Sequence, residues 1–187
     1  MAGLMRYLFS AGRAEEHANQ RIVACSDPTW NGTTTPDRAT LKQFIEEMDD
    51  PKVRHGDHFS AGYVFHVPIS LPAADGQLTD AQWQHVAETF AVRLGLDERV
   101  RWAAIHHGVN VNGNDHVHWV VNLVREDGTG VGLSYDRLRR REACRELEDE
   151  FGLTVTAAAG RRQPGSLSRR EVEQLRAGEV AHVTDLA

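Results

Sequence analysis

The sequence predicts an α+β domain in which a central antiparallel β-sheet is flanked by helices. Helix-like and strand-like segments alternate along the 187 residues. Two strand-like segments between residues 100 and 124 lie so close together that a hairpin must join them, which requires antiparallel pairing. With 41% hydrophobic residues, the chain is long enough to bury one core and short for two.

The N-terminal half predicts a strand, a helix and a second strand. The apolar residues 5–9 predict the first strand. Thr35 and Pro36 suit the cap and the first position of a helix that Pro51 ends. Residues 63–70 are rich in β-branched and aromatic side chains, which favour a strand.

The middle of the chain predicts a helix followed by the hairpin. Thr79 and Gln82 have the spacing of a capping box, and an apolar stripe at helical spacing then runs to Gly95. Residues 100–107 and 116–124 predict the two strands of the hairpin, with the polar stretch between them as its connection.

The C-terminal part is expected to hold a long helix, a strand and an extension. Ser134 can cap a helix that Gly152 ends, and residues 153–158 predict a further strand. We expect one catalytic domain over residues 1–160 and a C-terminal extension with a short helix over residues 161–187.

The net charge of −6 does not by itself favour a nucleic-acid partner, because phosphate contacts need Lys or Arg. The distribution of charge leaves a basic face open. Arginines cluster at Arg137, Arg139, Arg140, Arg141, and at Arg161, Arg162, Arg169, Arg170. A solvated helix face paired with nearby glutamates explains these clusters at least as well.

Cysteine content and the N-terminus favour a cytoplasmic protein. Cys25 and Cys144 have neither metal-ligand spacing nor the pattern of a disulfide framework. Residues 1–9 are apolar too briefly for a signal peptide or a membrane span.

The most informative feature is a group of histidines on the predicted hairpin. His116 and His118 are two apart in a strand, so their imidazoles share one face. The neighbouring strand ends in His106-His107 and can supply a third imidazole, although alternation does not decide which one. Three neutral histidines leave positions open on a metal ion, and Asp115 can orient an imidazole. An isolated His-x-His pair also arises by chance, so the prediction depends on the adjacent Asp115 and on the further histidine of the preceding strand.

The order of these blocks resembles the relaxases, the MobA-type mobilisation nucleases of plasmids and integrative conjugative elements, within the His-hydrophobic-His endonuclease class. The blocks are Arg6-Tyr7-Leu8, His66-Val67-Pro68-Ile69-Ser70, the helix over 78–95, His107, and Asp115-His116-Val117-His118 with Asn122. The segment from Arg140 to Glu148 is similar to the helix that follows the metal strand in actinobacterial members.

The resemblance implies the fold of that class, with a Mg²⁺ or Mn²⁺ ion held by His107, His116 and His118. It also implies an N-terminal tyrosine nucleophile, which by position is Tyr7. His17 is the alternative nucleophile, because some relaxases that resemble this stretch attack through histidine. The interval before His116 is longer than the family usually has, which keeps the choice between the two adjacent histidines open.

The implied function is a site-specific and strand-specific DNA endonuclease acting at an origin of transfer. It would bind single-stranded DNA at a hairpin, form a 5′-phosphotyrosine and work with relaxosome accessory and coupling proteins. Arg139, Arg140 and Arg141 are the candidate DNA contacts. The alternatives are a rolling-circle replication initiator of the same class, a non-catalytic DNA-binding accessory protein, and a metal hydrolase acting on a small phosphoester.

Some supporting roles stay open. Asp115, His17 and Asp57 are candidates to accept the tyrosine proton by chemistry alone, and a supporting role beside the metal fits Asp115 better. For His66 a structural or DNA-facing role is expected. Tryptophans can stack on DNA bases, but core packing is the expectation for Trp83 and Trp102.

Overall fold

The computed structural model describes residues 1–10, 19–56 and 62–156. Met1–Val155 form one compact unit. Within the described residues the elements are α1 (Ala2–Leu8), β1 (Arg21–Cys25), α2 (Arg38–His55), β2 (Val64–Ser70), α3 (Asp80–Leu94), β3 (Trp102–Val109), β4 (Asp115–Asn122) and α4 (Asp136–Glu150). Single-turn 3₁₀ helices occupy Pro28–Trp30 and Ala73–Asp75.

The strands form one four-stranded sheet in the order β1-β3-β4-β2. Each neighbouring pair is antiparallel. This confirms the predicted α+β class and the predicted hairpin of β3 and β4. Both strands reach further into their connection than expected, since Val109 still pairs with Asp115, and only residues 110–114 connect them. At their other ends β3 begins at Trp102 and β4 ends at Asn122, each two residues short of the expected bound.

Helices cover both faces of the sheet, and each face has its own core. On the first face, called here the α1–α2 side, one buried cluster contains Met5, Leu8, Ile22, Phe44, Met48, Ala103, Ile105 and Val120. On the second face, the α3–α4 side, the other cluster contains Trp83, Phe90, Ala104, Val117, Trp119, Val121, Ala143 and Leu147. Because side chains alternate along a strand, His116 and His118 lie on the α1–α2 side together with Val120.

The capping prediction for α3 is confirmed. Thr79 accepts a hydrogen bond from the backbone of Gln82, whose side chain in turn accepts from the backbone of Thr79. Gly95 ends the helix with φ of 72°, a left-handed conformation that suits glycine.

The N-terminal strand prediction is wrong. Residues 5–8 belong to helix α1, in which Met5 and Leu8 are buried. A short apolar run fits a strand and a helix equally, and burial against the sheet decides in favour of the helix. The sheet instead begins with β1, an apolar strand that the sequence analysis did not identify.

Three expected boundaries also differ. Helix α2 is capped by Asp37, whose carboxylate accepts from the backbone of Thr40 at 2.8 Å, and it continues through a buried Pro51 to His55. The N-cap of α4 is Tyr135, at φ of 60°, and not Ser134.

The strand expected over 153–158 does not form over its described part, 153–156. Thr154 there donates its backbone N–H and its hydroxyl to Asp75, and these bonds replace strand pairing. The expected extension over 161–187, with its short helix, lies outside the described residues. Among the described helices, none has both the length and the apolar character needed to cross a membrane.

Candidate metal centre

The imidazoles of His107, His116 and His118 meet on the α1–α2 side of the sheet. Each offers a nitrogen atom, and these atoms all lie within 4.8 Å of one another. The ring centroids are 4.4 Å apart for His107 and His118, and 5.4 Å apart for the other two pairs. His107 is fully buried and His116 is 9% exposed. The three rings, called here the histidine cluster, therefore face one another in a largely buried place.

A β-bulge in β3 lies at His107, which alternation puts on the same face of the sheet as Ile105. Ile105 pairs with His118 and His106 with Val117, but the next pair is Gly108 with His116, so the register shifts at His107. Two residues of β3 thus oppose one residue of β4. Gly108 has φ of 80°, a conformation that other residues rarely adopt.

The adjacent His106 points to the other face, where it binds Asp115. Its Nε2 lies 2.6 Å from Oδ1 of Asp115. The other carboxylate oxygen accepts from the indole N–H of Trp83 at 2.9 Å and from the backbone N–H of Leu78 at 3.1 Å. The structure thus brings together His107, and not His106, with the other two histidines. Asp115 orients the histidine that is outside the cluster.

The environment fixes the protonation of two of these groups. Burial alone would raise the pKa of the Asp115 carboxyl, but the hydrogen bonds from His106 and Trp83 together outweigh it and hold this pKa below its ordinary value. Burial lowers the pKa of His116. Near neutral pH, Asp115 is therefore a carboxylate and His116 a neutral imidazole with a lone pair available for a metal.

A fourth histidine contacts the cluster from the edge strand β2. Nε2 of His66 lies 2.7 Å from Nδ1 of His118, and the two rings meet edge to edge with their centroids 4.9 Å apart. Burial lowers the pKa of His66, which favours its neutral form. From the sequence, a structural or DNA-facing role is expected for His66, and the contact with His118 is not predicted. Strand alternation was the available signal, but only the pairing of Pro68 with His118 shows which β4 residue His66 can reach.

The donor set, three imidazole nitrogens, fits a divalent transition-metal ion such as Mn²⁺. Three nitrogens bound to one ion at about 2.1 Å lie, when evenly spaced, no more than about 3.6 Å apart. The nitrogens of the cluster all lie within 4.8 Å of one another, which is near enough for side-chain rotations to gather them around one ion. Three histidine ligands also leave coordination positions open for substrate oxygens.

Tyr7 lies on the same side of the sheet as the cluster. Met5 and Leu8 of the same helix are buried in the core that contains Ile105, and Ile105 lies opposite His118. Tyr7 itself is 44% exposed. The end of the helix is tied down, since Ser10 donates its hydroxyl to the Tyr7 carbonyl at 2.7 Å. The two other candidates named from sequence, His17 and Asp57, lie outside the described residues.

The three arginines expected to contact DNA lie on α4, which packs on the α3–α4 side. Arg139 donates to the carbonyl of Leu94 at 3.2 Å. Arg140 forms an ion pair with Asp136 at 2.7 Å, and Arg141 is exposed. The structure therefore does not bring these arginines together with the histidine cluster.

The four tryptophans differ in burial and in the face of the sheet on which they lie. Trp83 and Trp119 are fully buried in the α3–α4 core, so stacking on DNA bases is excluded for them in this conformation. Trp102 is half-buried against the same core. Trp30 is half-buried against the core on the α1–α2 side, and its indole N–H donates to Glu47 at 2.8 Å.

Comparisons with known proteins give one finding. The search of curated proteins and the search of solved structures found no match. The sequence model of the family described as "Relaxase: MobA/VirD2-like, nuclease domain" matches residues 29–153. The matched region contains the whole sheet except β1, all three residues of the histidine cluster, and His66. The chain therefore belongs to the family of MobA/VirD2-like relaxase nuclease domains.

Proposed function

We propose that this chain nicks one DNA strand at an origin of transfer, remains attached to the 5′ end, and so initiates conjugative DNA transfer. Membership of the relaxase nuclease family supports DNA nicking in general. The observation that carries the finer proposal is the position of the histidine cluster, on the side of the sheet that also bears the helix with the exposed Tyr7.

His107, His116 and His118 would hold a Mg²⁺ or Mn²⁺ ion. A bound cation supplies charge neutralisation at a non-bridging oxygen of the scissile phosphate and orients the ester for in-line attack. The burial that keeps His116 neutral favours this role, because a protonated imidazole cannot be a ligand.

Tyr7 would supply the nucleophile. Its phenol oxygen forms a bond to phosphorus while the bond from phosphorus to the 3′-oxygen breaks. The phenol proton is released to solvent, and the 3′-oxygen takes one up, so the reaction consumes no co-reactant. One phosphodiester replaces another of similar energy, and the strand can be rejoined by the reverse step.

Asp115 is a poor candidate to accept the phenol proton. Its carboxylate binds His106, Trp83 and the backbone of Leu78 on the opposite side of the sheet. His17 stays the alternative nucleophile.

The substrate in this proposal is single-stranded DNA at the hairpin of the origin, presented with relaxosome accessory and coupling proteins in the cytoplasm. The net charge of −6 gives little general attraction to phosphate. We therefore expect recognition of DNA to depend on local contacts near the cluster and on those partners.

The deciding experiment is adduct mapping. The protein is incubated with Mn²⁺ and labelled single-stranded oligonucleotides that tile the non-coding DNA beside its own gene, and the modified peptide is identified by mass spectrometry. We expect an adduct on Tyr7 that is lost in Tyr7→Phe and in His116→Ala. Tyr135→Phe is the matched control, since Tyr135 is also an exposed helix-terminal tyrosine, at 78%.

Two results would overturn the proposal in different ways. An adduct on His17 that persists in Tyr7→Phe would transfer the nucleophile to His17. Cleavage without any protein adduct would indicate a hydrolase that activates water, and nicking confined to replication-origin DNA would indicate a replication initiator.

A further inference from the structure

His66 contacts His118 from the edge strand β2 and faces the histidine cluster from outside. Its Nε2 is 2.7 Å from Nδ1 of His118. The ring planes are inclined by only 25°, so the two imidazoles meet edge to edge, as a hydrogen bond between ring nitrogens requires. Among the described residues, the group that can share one ion consists of His107, His116 and His118 without His66.

We propose that His66 is a positioning residue that fixes the tautomer of His118, so that Nε2 of His118 is its metal-ligating atom. The inference rests on the proposed function, because it concerns the ion that the cluster would hold. It adds a residue, and an identity for the ligating nitrogen, to the site.

The two nitrogens of His118 have different roles. A neutral imidazole has one N–H and one lone pair, and the hydrogen bond made by one nitrogen determines which nitrogen can bind a metal. Nδ1 of His118 is engaged by His66, which leaves Nε2 to face the ion. Nε2 has a lone pair only if the proton is on Nδ1. Nδ1–H of His118 must therefore donate to Nε2 of His66.

This role also accounts for the placement of His66. His66 pairs with Val120 and so lies on the α1–α2 side, two residues along β2 from Pro68, the residue opposite His118. His66 is exposed on an edge strand, so its other nitrogen, Nδ1, can carry the proton of the ring and donate it to water. Partners of this kind around metal ligands change metal affinity by about 10- to 100-fold when they are removed.

Two substitutions separate positioning from other roles. His66→Gln places an amide oxygen near the position of Nε2 and can still accept from His118, whereas His66→Leu cannot accept a hydrogen bond. The control is His85→Leu, which removes another exposed imidazole, one that binds Glu150 on the α3–α4 side. Thermal unfolding of each variant confirms that it is folded.

The first measurement is the tautomer of His118 in the metal-free protein, from imidazole ¹⁵N chemical shifts. We expect Nδ1–H in the wild type and in His66→Gln, and a change towards Nε2–H, the form that free imidazole side chains prefer, in His66→Leu. The second is Mn²⁺ affinity, from the loss of the free-ion EPR signal on titration. His66→Leu should bind about 10- to 100-fold more weakly, and His66→Gln within a few-fold of the wild type.

The outcomes distinguish this inference from the function on which it rests. If wild-type protein binds no Mn²⁺, the proposed metal centre fails and the inference fails with it. If the wild type binds Mn²⁺ and His66→Leu keeps both the tautomer and the affinity, only the inference fails. If both His66 variants lose binding while the tautomer stays unchanged, His66 is itself a ligand and the positioning role is overturned.

Discussion

The carboxylate of Asp115 and the imidazole of His106 are joined by a 2.6 Å contact on the face of the sheet opposite the histidine cluster. Both side chains are buried, and each directly precedes a histidine of the cluster, His116 or His107. The pair connects the ends of β3 and β4 across the bulge. From the opposite face of the sheet, the pair therefore fixes the backbone of β3 and β4 next to His107 and His116.

Removal of the Asp115 carboxylate should destabilise the fold strongly. Asp115→Ala leaves the polar atoms of His106 and Trp83, and the backbone N–H of Leu78, buried without this partner. Breaking a buried pair of this kind costs about 3–5 kcal/mol. Urea unfolding at pH 7 measures the loss.

A surface ion pair provides the comparison for Asp115→Ala. Asp80 binds Arg21 at 2.6 Å but is 53% exposed, so Asp80→Ala should cost below about 1 kcal/mol. Equal losses in the two variants would show that the Asp115 network contributes no more than a surface pair.

The depressed pKa of Asp115 predicts a pH dependence of stability. An unfolded aspartate titrates near pH 3.9, and the folded one titrates lower, so between these values the unfolded chain binds more protons. The contribution of Asp115 is therefore fully present above about pH 4 and is lost as pH falls through the folded pKa. The stability difference between wild type and Asp115→Ala should therefore shrink as the pH falls below about 4. A difference that grows as the pH falls from about 4 would contradict this sign.

The sequence predicted the parts of the site that depend on strand alternation alone. His116 and His118 share a face because they are two apart in one strand, and the structure shows this directly. The capping box at Thr79 was equally local, since both of its hydrogen bonds join residues three apart. Such features need no knowledge of the tertiary fold.

The parts that were missed depend on how strands pair. Alternation along β3 puts His106 and His107 on opposite faces, but only the pairing of Ile105 with His118 shows which of the two faces carries the other histidines. The contact of His66 with His118 requires the register of β2 on β4. A strand is predicted at Met5 where the structure has a helix, because so few apolar residues do not distinguish a helical spacing from a strand until they pack on the sheet.

Gly108 should be required for the site because of its backbone conformation. Gly108 has φ of 80°, a conformation in which a residue with a Cβ atom is strained by about 1–2 kcal/mol. Relief of this strain in a variant would rotate the neighbouring His107. Gly108→Ala should lower stability by about that amount and weaken Mn²⁺ binding, measured by EPR titration, by at least about tenfold.

Gly32→Ala is the matched control for the backbone term. Gly32 also has φ of 80°, and an added Cβ would meet nothing within 4 Å. It should lose similar stability and keep the Mn²⁺ affinity of the wild type. If both variants bind Mn²⁺ equally well, the bulge does not position His107.

Substitution of the two adjacent histidines should separate a ligand from a structural residue. His107 faces His116 and His118, whereas His106 binds Asp115 on the other side. His107→Gln should reduce Mn²⁺ binding below detection, because two imidazoles hold the ion far more weakly than three. His106→Gln should lower the unfolding free energy by about 1–3 kcal/mol, since a buried hydrogen bond to a charged group is weakened, yet bind Mn²⁺ within about tenfold of the wild type. The reverse pattern, with binding lost only in His106→Gln, would assign the third ligand to His106 and require a different register at the bulge.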